Sequence, residues 1–178
     1  MIRLFAAVAI PSEIAQGLAW RQTGVPGARW RTEEQLHITL RFFGDVEPRR
    51  AEELDLELER IFIKPFDLVL AGVGSFGEGW RIDTLWAGVE PSEPLERLHA
   101  RCEIAARKVR LKPDTRRYAP HVTLAYMGPA REPKVAGWIA EHNLLKSPPF
   151  RVESFGLYSS VLSPSGSKYH LEREYRLS

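Results

Sequence analysis

The chain has 178 residues, 44% of them hydrophobic and 27% charged, which suits one globular domain or two small lobes and excludes a large multidomain assembly and a disordered tract. Its longest apolar run, Leu4 to Ile10, is far short of the ~20 residues that span a bilayer, so no membrane partner is expected. Twenty-five Lys and Arg against 23 Asp and Glu permit a polyanionic partner without requiring one, and the single Cys102 excludes an internal disulfide or a cysteine-rich zinc cluster.

Ile2 to Ile10 is apolar on both faces, as a central strand would be, and leads into a helix at Pro11-Ser12-Glu13 that carries Ile14, Ala15, Leu18 and Ala19 on one stripe. This reading is preferred to an export signal, and with one cysteine it makes a cytoplasmic location the expectation. Trp30, with Leu36 to Phe43, opens a second strand region that stops at Gly44-Asp45. After Pro48, the recurrence of Ala51, Leu54, Leu58, Ile61 and Phe62 predicts a helix. Phe66 to Val73 and Ile82 to Val89 are strand-like and joined by Gly74, Gly77 and Gly79, which predicts a hairpin. A helix follows with Leu95, Leu98, Cys102, Ala105 and Val109 inward, then a basic loop, a strand from His121 to Met127, and a helix marked by Val135, Trp138 and Ile139. Phe150 to Tyr158 and Tyr169 to Leu177 complete a final hairpin, so βαβαβ is followed by βαβαββ.

That order repeats itself, and so does its sequence. His37-Ile38-Thr39-Leu40-Arg41-Phe42-Phe43-Gly44 aligns with His121-Val122-Thr123-Leu124-Ala125-Tyr126-Met127-Gly128. One His-x-Thr is a worthless signal, whereas two extended matches on equivalent strands of two similar halves are specific. Strand alternation puts His37 and Thr39 on one face, with Arg41 expected beside them, and His121 and Thr123 on the matching face of the other copy. If the halves pack about a pseudo-two-fold axis, two imidazoles and two hydroxyls face one substrate. That set suits displacement at phosphorus, with one neutral imidazole taking a proton and one protonated imidazole giving one. The threonines and Arg41 would hold phosphoryl oxygens where charge builds. No metal or other cofactor is needed, and neither copy carries an acid or second histidine at ligand spacing.

These residues resemble the 2H phosphoesterases, and within them the RNA 2′,3′-cyclic phosphodiesterases also called 2′-5′ RNA ligases. The likeness includes Arg3-Leu4-Phe5-Ala6-Ala7, the two repeated segments, and Leu157-Tyr158-Ser159-Ser160 before Gly166 and Tyr169. The resemblance implies an α+β fold of two pseudo-symmetric βαβαβ lobes, roughly 1–80 and 81–178, with mainly antiparallel sheets around a central cleft and room for exchange of terminal strands. It implies hydrolysis of an RNA terminal 2′,3′-cyclic phosphate to a 2′-phosphate, reversible 2′-5′ joining in some members, His37 as proton donor and His121 as acceptor. A monomer is expected. The sequence departs from the family at Tyr126, where many relatives carry Arg, so a charge that helps bind phosphate is missing there and Tyr126 is left to stack on a base or fill core.

The segment from Arg107 to Arg117 holds six basic residues against the single acid Asp114, and Arg116 and Arg117, next to the second motif, are candidates for substrate contact. Gly72 to Gly77 satisfies G-x-G-x-x-G, but a strand follows where a dinucleotide site needs a helix, so the glycines are assigned to the hairpin. His99, His142 and His170 are read as satisfied or surface residues, and Cys102 as a small buried hydrophobe. Two other functions fit the residues less well. One is a phosphodiesterase for small cyclic-phosphate nucleotides or 2′-5′ oligonucleotides. The other is a non-catalytic RNA-binding module using the basic segment with Trp30 and Tyr118.

Overall fold

The computed structural model describes residues 1–78, 81–128 and 132–178. In chain order the elements are β1 (Ile2–Ala9), α1 (Ser12–Ala19), β2 (Ala28–Trp30), a 3₁₀ turn (Glu33–Gln35), β3 (His37–Val46), α2 (Pro48–Glu59), β4 (Phe66–Leu68), β5 (Leu70–Glu78) and β6 (Arg81–Val89). There follow α3 (Glu93–Lys108), β7 (His121–Met127), α4 (Glu132–His142), β8 (Phe150–Val152), β9 (Ser154–Ser163) and β10 (Gly166–Arg176). The fold is mixed α and β, and among the described residues every strand pairing is antiparallel.

One large sheet runs β10-β9-β1-β3-β7-β6-β5, with β2 added to β7, while β4 and β8 form a small second sheet. The path reads the same from its middle outward: β3 and β7 meet at the centre, β1 and β6 flank them, and β9 and β5 come next. β5, from the first half of the chain, therefore lies beside β6, and β9, from the second half, lies beside β1.

Local chemistry accounts for the elements. The five consecutive buried residues Leu4 to Val8 make β1 a strand covered on both faces. Pro48 opens α2, and Ser92 caps α3 by accepting from the Leu95 amide at 3.3 Å, with Glu93 and Glu96 in the first turn and Arg107 and Lys108 in the last. Leu95, Leu98, Cys102 and Ala105 of α3 join the core as the spacing predicts.

Three expectations are corrected. α2 stops at Glu59, so Phe62 is 73% exposed and Ile63 enters the core instead; Lys64 precedes Pro65 and is steered away from helical backbone. The predicted strand Phe66 to Val73 divides between β4, in the small sheet, and β5, in the large one. Gly74 and Gly77 lie within β5, not in the turn, and Gly79 falls outside the described residues. Gly74 is glycine because the Trp86 indole lies against it, where a Cβ would come within 2.3 Å of Cζ2.

Candidate active site

The pairing of β3 with β7 at Ile38 and Val122 sets the site. One antiparallel step to either side puts His37 across from Thr123 and Thr39 across from His121, on the face opposite the buried Ile38 and Val122. Directly opposed side chains in such a pair have Cβ atoms about 5 Å apart, so the two imidazoles stand diagonally across one small patch of sheet.

The repeat extends to an irregularity that the sequence did not reveal. Ala6 pairs with Arg41 and Ala7 with Thr39, which leaves Leu40 as an extra residue in β3. Likewise Leu85 pairs with Ala125 and Trp86 with Thr123, which leaves Leu124 extra in β7. Each bulge reverses the alternation beyond it. Leu40 and Arg41 are both buried and Phe42 is exposed; Leu124 and Ala125 are both buried and Tyr126 is exposed. Arg41 thus turns from the face of His37, contrary to strand alternation, although part of it still borders the cavity that holds Thr39 and His121. It is 5% exposed, ion-paired with Glu103, and donates to the carbonyls of Phe42 and Lys112. The residues that join each His-Thr pair on the cleft face are Phe42 and Tyr126.

The bulges are held from outside the motifs. His99 Nδ1 bonds the Leu40 carbonyl at 2.6 Å, its ring stacks on Tyr118 at 3.9 Å, and the Tyr118 hydroxyl donates to the Thr39 carbonyl at 2.8 Å. In the other copy the Leu124 carbonyl accepts from the Arg31 amide at 2.8 Å and from Gln22 Nε2 at 3.1 Å. The sequence reading missed Gln22 and Arg31, because their partners lie about a hundred positions away. Tyr118 and Trp30, considered above as RNA-stacking aromatics, are half-buried against the core; Tyr118 still borders the His121 cavity, and Trp30 packs on Trp138 with centroids 5.9 Å apart.

Both imidazoles are oriented in the same way. His37 Nδ1 lies 2.8 Å from the Gln35 carbonyl and His121 Nδ1 lies 2.7 Å from the Ala119 carbonyl. A carbonyl only accepts, so each Nδ1 carries the proton and each Nε2 is the working nitrogen. His37 Nε2 is 3.1 Å from Thr39 Oγ1 and in the neutral ring accepts that hydroxyl's proton. Aromatic rings wall both histidines: Phe5 and Tyr169 at 5.0 and 5.4 Å from His37, Phe76 and Trp86 at 4.8 and 6.4 Å from His121.

Two cavities meet here. One of about 260 Å³ has His121, Phe76, Arg116 and Arg117 in its wall, and one of about 200 Å³ has His37, Phe5, Tyr126 and Tyr169; Thr39 and Phe42 belong to both. Thr123 is half-buried and lines neither. Arg116 is gripped by Asp114 through two contacts of 3.1 Å, which hold the Asp114 carboxyl down at about 2, while Arg117 has no carboxylate partner among the described residues. Burial pushes His37 down to about 4, helped by the charges of Arg31 and His121 and opposed by the Gln35 carbonyl. Burial also lowers His121, against its bond to Ala119. Among the described residues no three His, Cys, Asp or Glu side chains gather where they could hold a metal ion, and no helix is long and apolar enough to cross a membrane. Cys102 is fully buried, and burial raises its thiol well above its ordinary value.

Comparison with known proteins shows the family and the fold. The model of the 2′-5′ RNA ligase superfamily matches residues 11–162. An RNA 2′,3′-cyclic phosphodiesterase of Methanothermobacter thermautotrophicus is 33% identical over 148 residues, covering 81% of this chain and 79% of the relative. One of Geobacillus stearothermophilus is 35% identical over 127 residues, 68% of this chain but only 40% of that relative's length. The crystal structure of Escherichia coli LigT complexed with 3′-AMP superposes with a TM-score of 0.82 at 26% identity, over 99% of this chain and 98% of that one. The chain belongs to the 2′-5′ RNA ligase superfamily.

Proposed function

We propose that the protein opens the terminal 2′,3′-cyclic phosphate of RNA to a 2′-phosphomonoester, with His37 and His121 as the acid and base. The observation that carries this reading is that both histidines have Nδ1 tied to a backbone carbonyl and Nε2 left for chemistry, on adjacent strands of one cleft. The names of the relatives, RNA 2′,3′-cyclic phosphodiesterases, support the reaction class.

His121 Nε2 takes a proton from water as the water oxygen attacks phosphorus. The bond from phosphorus to the 3′ oxygen breaks, and His37 Nε2 gives that oxygen its proton. The two copies are not equivalent in the free protein. His37 Nε2 is engaged by the Thr39 hydroxyl, whereas among the described residues no side chain bonds His121 Nε2, which leaves it open to water. When an anionic phosphate enters, its charge draws a proton onto His37; Nε2 then ceases to accept from Thr39, and the hydroxyl proton is free to turn to a nonbridging oxygen. Thr123 is the corresponding donor in the second copy. With an RNA 5′-hydroxyl in place of water, the same proton transfers join two ends through a 2′-5′ linkage.

The cleft is small and its exposed aromatics, Phe42 and Tyr126, suit the terminal nucleosides, while Arg117, which has no carboxylate partner among the described residues, meets the phosphates further along the strand. The test is product-resolved assay of short RNAs ending in a 2′,3′-cyclic phosphate, in excess chelator, beside cyclic mononucleotides and 2′-5′ dinucleotides. A 2′-phosphate product, lost on His37→Ala and on His121→Ala, is the expected result. Equal turnover by either variant overturns the mechanism. Faster turnover of mononucleotides than of oligonucleotides replaces RNA ends with small nucleotides as the substrate, and salt-dependent RNA binding without any turnover replaces the enzyme with a binding module.

A further inference from the structure

We propose that Arg31 is the cation that holds the substrate's phosphoryl oxygens on the His37 side of the cleft. The proposal rests on the phosphodiesterase reading above and names a residue outside both repeated motifs.

Arg31 follows β2, whose residues Ala28 to Trp30 pair with Met127 to Ala125 of β7. Its backbone is pinned at both ends, the amide to the Leu124 carbonyl at 2.8 Å and its own carbonyl by Gln22 Nε2 at 2.9 Å, so the side chain enters from a fixed point beside the second bulge. The guanidinium lies over the Tyr126 ring at 4.8 Å from the centroid and donates to the Tyr169 hydroxyl at 2.8 Å. Tyr126 and Tyr169 both line the cavity that contains His37, and the Tyr169 ring touches the imidazole edge-on at 5.4 Å.

Among the described residues Arg31 has no carboxylate partner, although it is half-buried. A guanidinium partly out of water and without a counter-ion is costly, and a bound anion removes that cost. Most other cations near the cleft are engaged or lie elsewhere: Arg41 is paired with Glu103, Arg116 with Asp114, and Arg117 sits on the His121 side. Arg3 borders the same cavity as His37, but it is exposed and lies over Phe42 at 5.1 Å, whereas Arg31 is half-buried with its backbone fixed, so its charge is the less solvated of the two. The field of Arg31 also reaches His37, where it disfavours the protonated ring until an anion arrives. Position 126, the strand site next to the guanidinium, carries an uncharged aromatic; Arg31 brings a charge to the same place from the neighbouring segment and uses that aromatic as its support.

The experiment measures inorganic phosphate binding by calorimetry, steady-state kinetics on cyclic-ended RNA, and the His37 titration by NMR, for wild type, Arg31→Gln, Arg31→Lys and Arg31→Gln/Tyr126→Arg. Arg31→Gln is expected to weaken phosphate binding and raise KM by about tenfold or more, as loss of a charge-assisted contact does, and to move the His37 titration upward. Arg31→Lys keeps part of the affinity, and the double variant regains most of it, because the charge returns from β7. Unchanged phosphate affinity and KM in Arg31→Gln overturn the proposal, as does a double variant no better than Arg31→Gln. Where Arg31→Gln does not fold by circular dichroism, the comparison of wild type with Arg31→Lys decides, and equal affinities overturn the proposal. Absence of turnover in the wild type, with phosphate binding that still depends on Arg31, defeats the phosphodiesterase reading and leaves Arg31 as an anion site.

Discussion

Leu40 and Leu124 are each the extra residue of a bulge, at the same place in two strands that meet at the centre of the sheet. Each points inward and lends its carbonyl to a side chain from another element, His99 in one case and Gln22 in the other. Beyond each His-x-Thr, the bulge places a buried residue and then an exposed aromatic. The strands that carry the two histidines are thus fixed by ties to the main chain, and those ties are testable.

The Tyr118 hydroxyl, 2.8 Å from the Thr39 carbonyl, is the simplest to cut. Tyr118→Phe keeps the stack on His99 and leaves that carbonyl without its donor. A loss of about 1 kcal/mol is expected, or roughly 2 to 4 °C in melting temperature for a chain of this size. If the tie positions Thr39 for phosphate, kcat falls more than KM rises; a variant with wild-type kcat shows that the tie serves stability alone.

Arg41 illustrates what was legible in the sequence and what was not. The order of strands and helices, the inward stripe of α3 and the convergence of the two histidines all follow from period and repetition, because each is a property of several residues at once. A bulge is a property of one residue and of its partner strand, and nothing in His37 to Gly44 marks it. Period-2 reading accordingly puts Arg41 on the face of His37, while the fold pairs it with Glu103 at the edge of the cleft. Arg31 was invisible for the related reason that its place is set by β7, paired with it across the sheet.

The Arg41–Glu103 pair yields a prediction that separates the two roles. Burial pushes the Glu103 carboxyl up, but bonds from Arg41, Arg107 and the Asp114 amide outweigh this and hold it below its ordinary value. Arg41→Met removes the most buried partner of a carboxylate that is itself 12% exposed. Chemical denaturation should show a loss of about 3 kcal/mol or more, with KM for substrate near wild type in protein that remains folded. A stable Arg41→Met protein with a sharply raised KM would return Arg41 to the phosphate.

Acidity should act on both stability and rate through His37. Its folded value of about 4 lies below the ordinary 6.5, so between these the unfolded chain binds more protons than the native one. The stability gained by keeping the ring neutral is present in full above pH 6.5 and disappears as pH falls toward 4, on the order of 3 kcal/mol in all. His37→Phe should flatten the denaturation midpoint across this window, and an equally steep variant would assign the acid sensitivity elsewhere. For catalysis, both histidines are lowered, so kcat/KM should follow a bell with its maximum below pH 6.5, its two limbs reporting the coupled ionisations of the histidine pair in free protein. Bound phosphate favours the protonated donor, so the kcat profile should extend further toward alkaline pH. Coincident profiles would mean that substrate charge does not reach the donor.

Gly74 tests how far the site depends on packing behind His121. The Trp86 indole fills the space where a Gly74 side chain would stand, with Cζ2 at 2.3 Å and Cη2 at 2.5 Å from an added Cβ. These are ring atoms of a half-buried side chain that also packs on Phe76 at 5.5 Å, so the ring cannot simply rotate away. Gly74→Ala must displace the indole or part β5 from β6, at a cost of about 1 to 3 kcal/mol typical of overpacking. Because Trp86 and Phe76 together wall His121, a shifted indole admits water to that imidazole and relaxes the burial that lowers it. The expected result is lower kcat/KM together with an upward move of the His121 titration in NMR, in a protein that still folds. A Gly74→Ala protein with lost stability but an unmoved His121 titration would confine the effect of Gly74 to the pairing of β5 with β6.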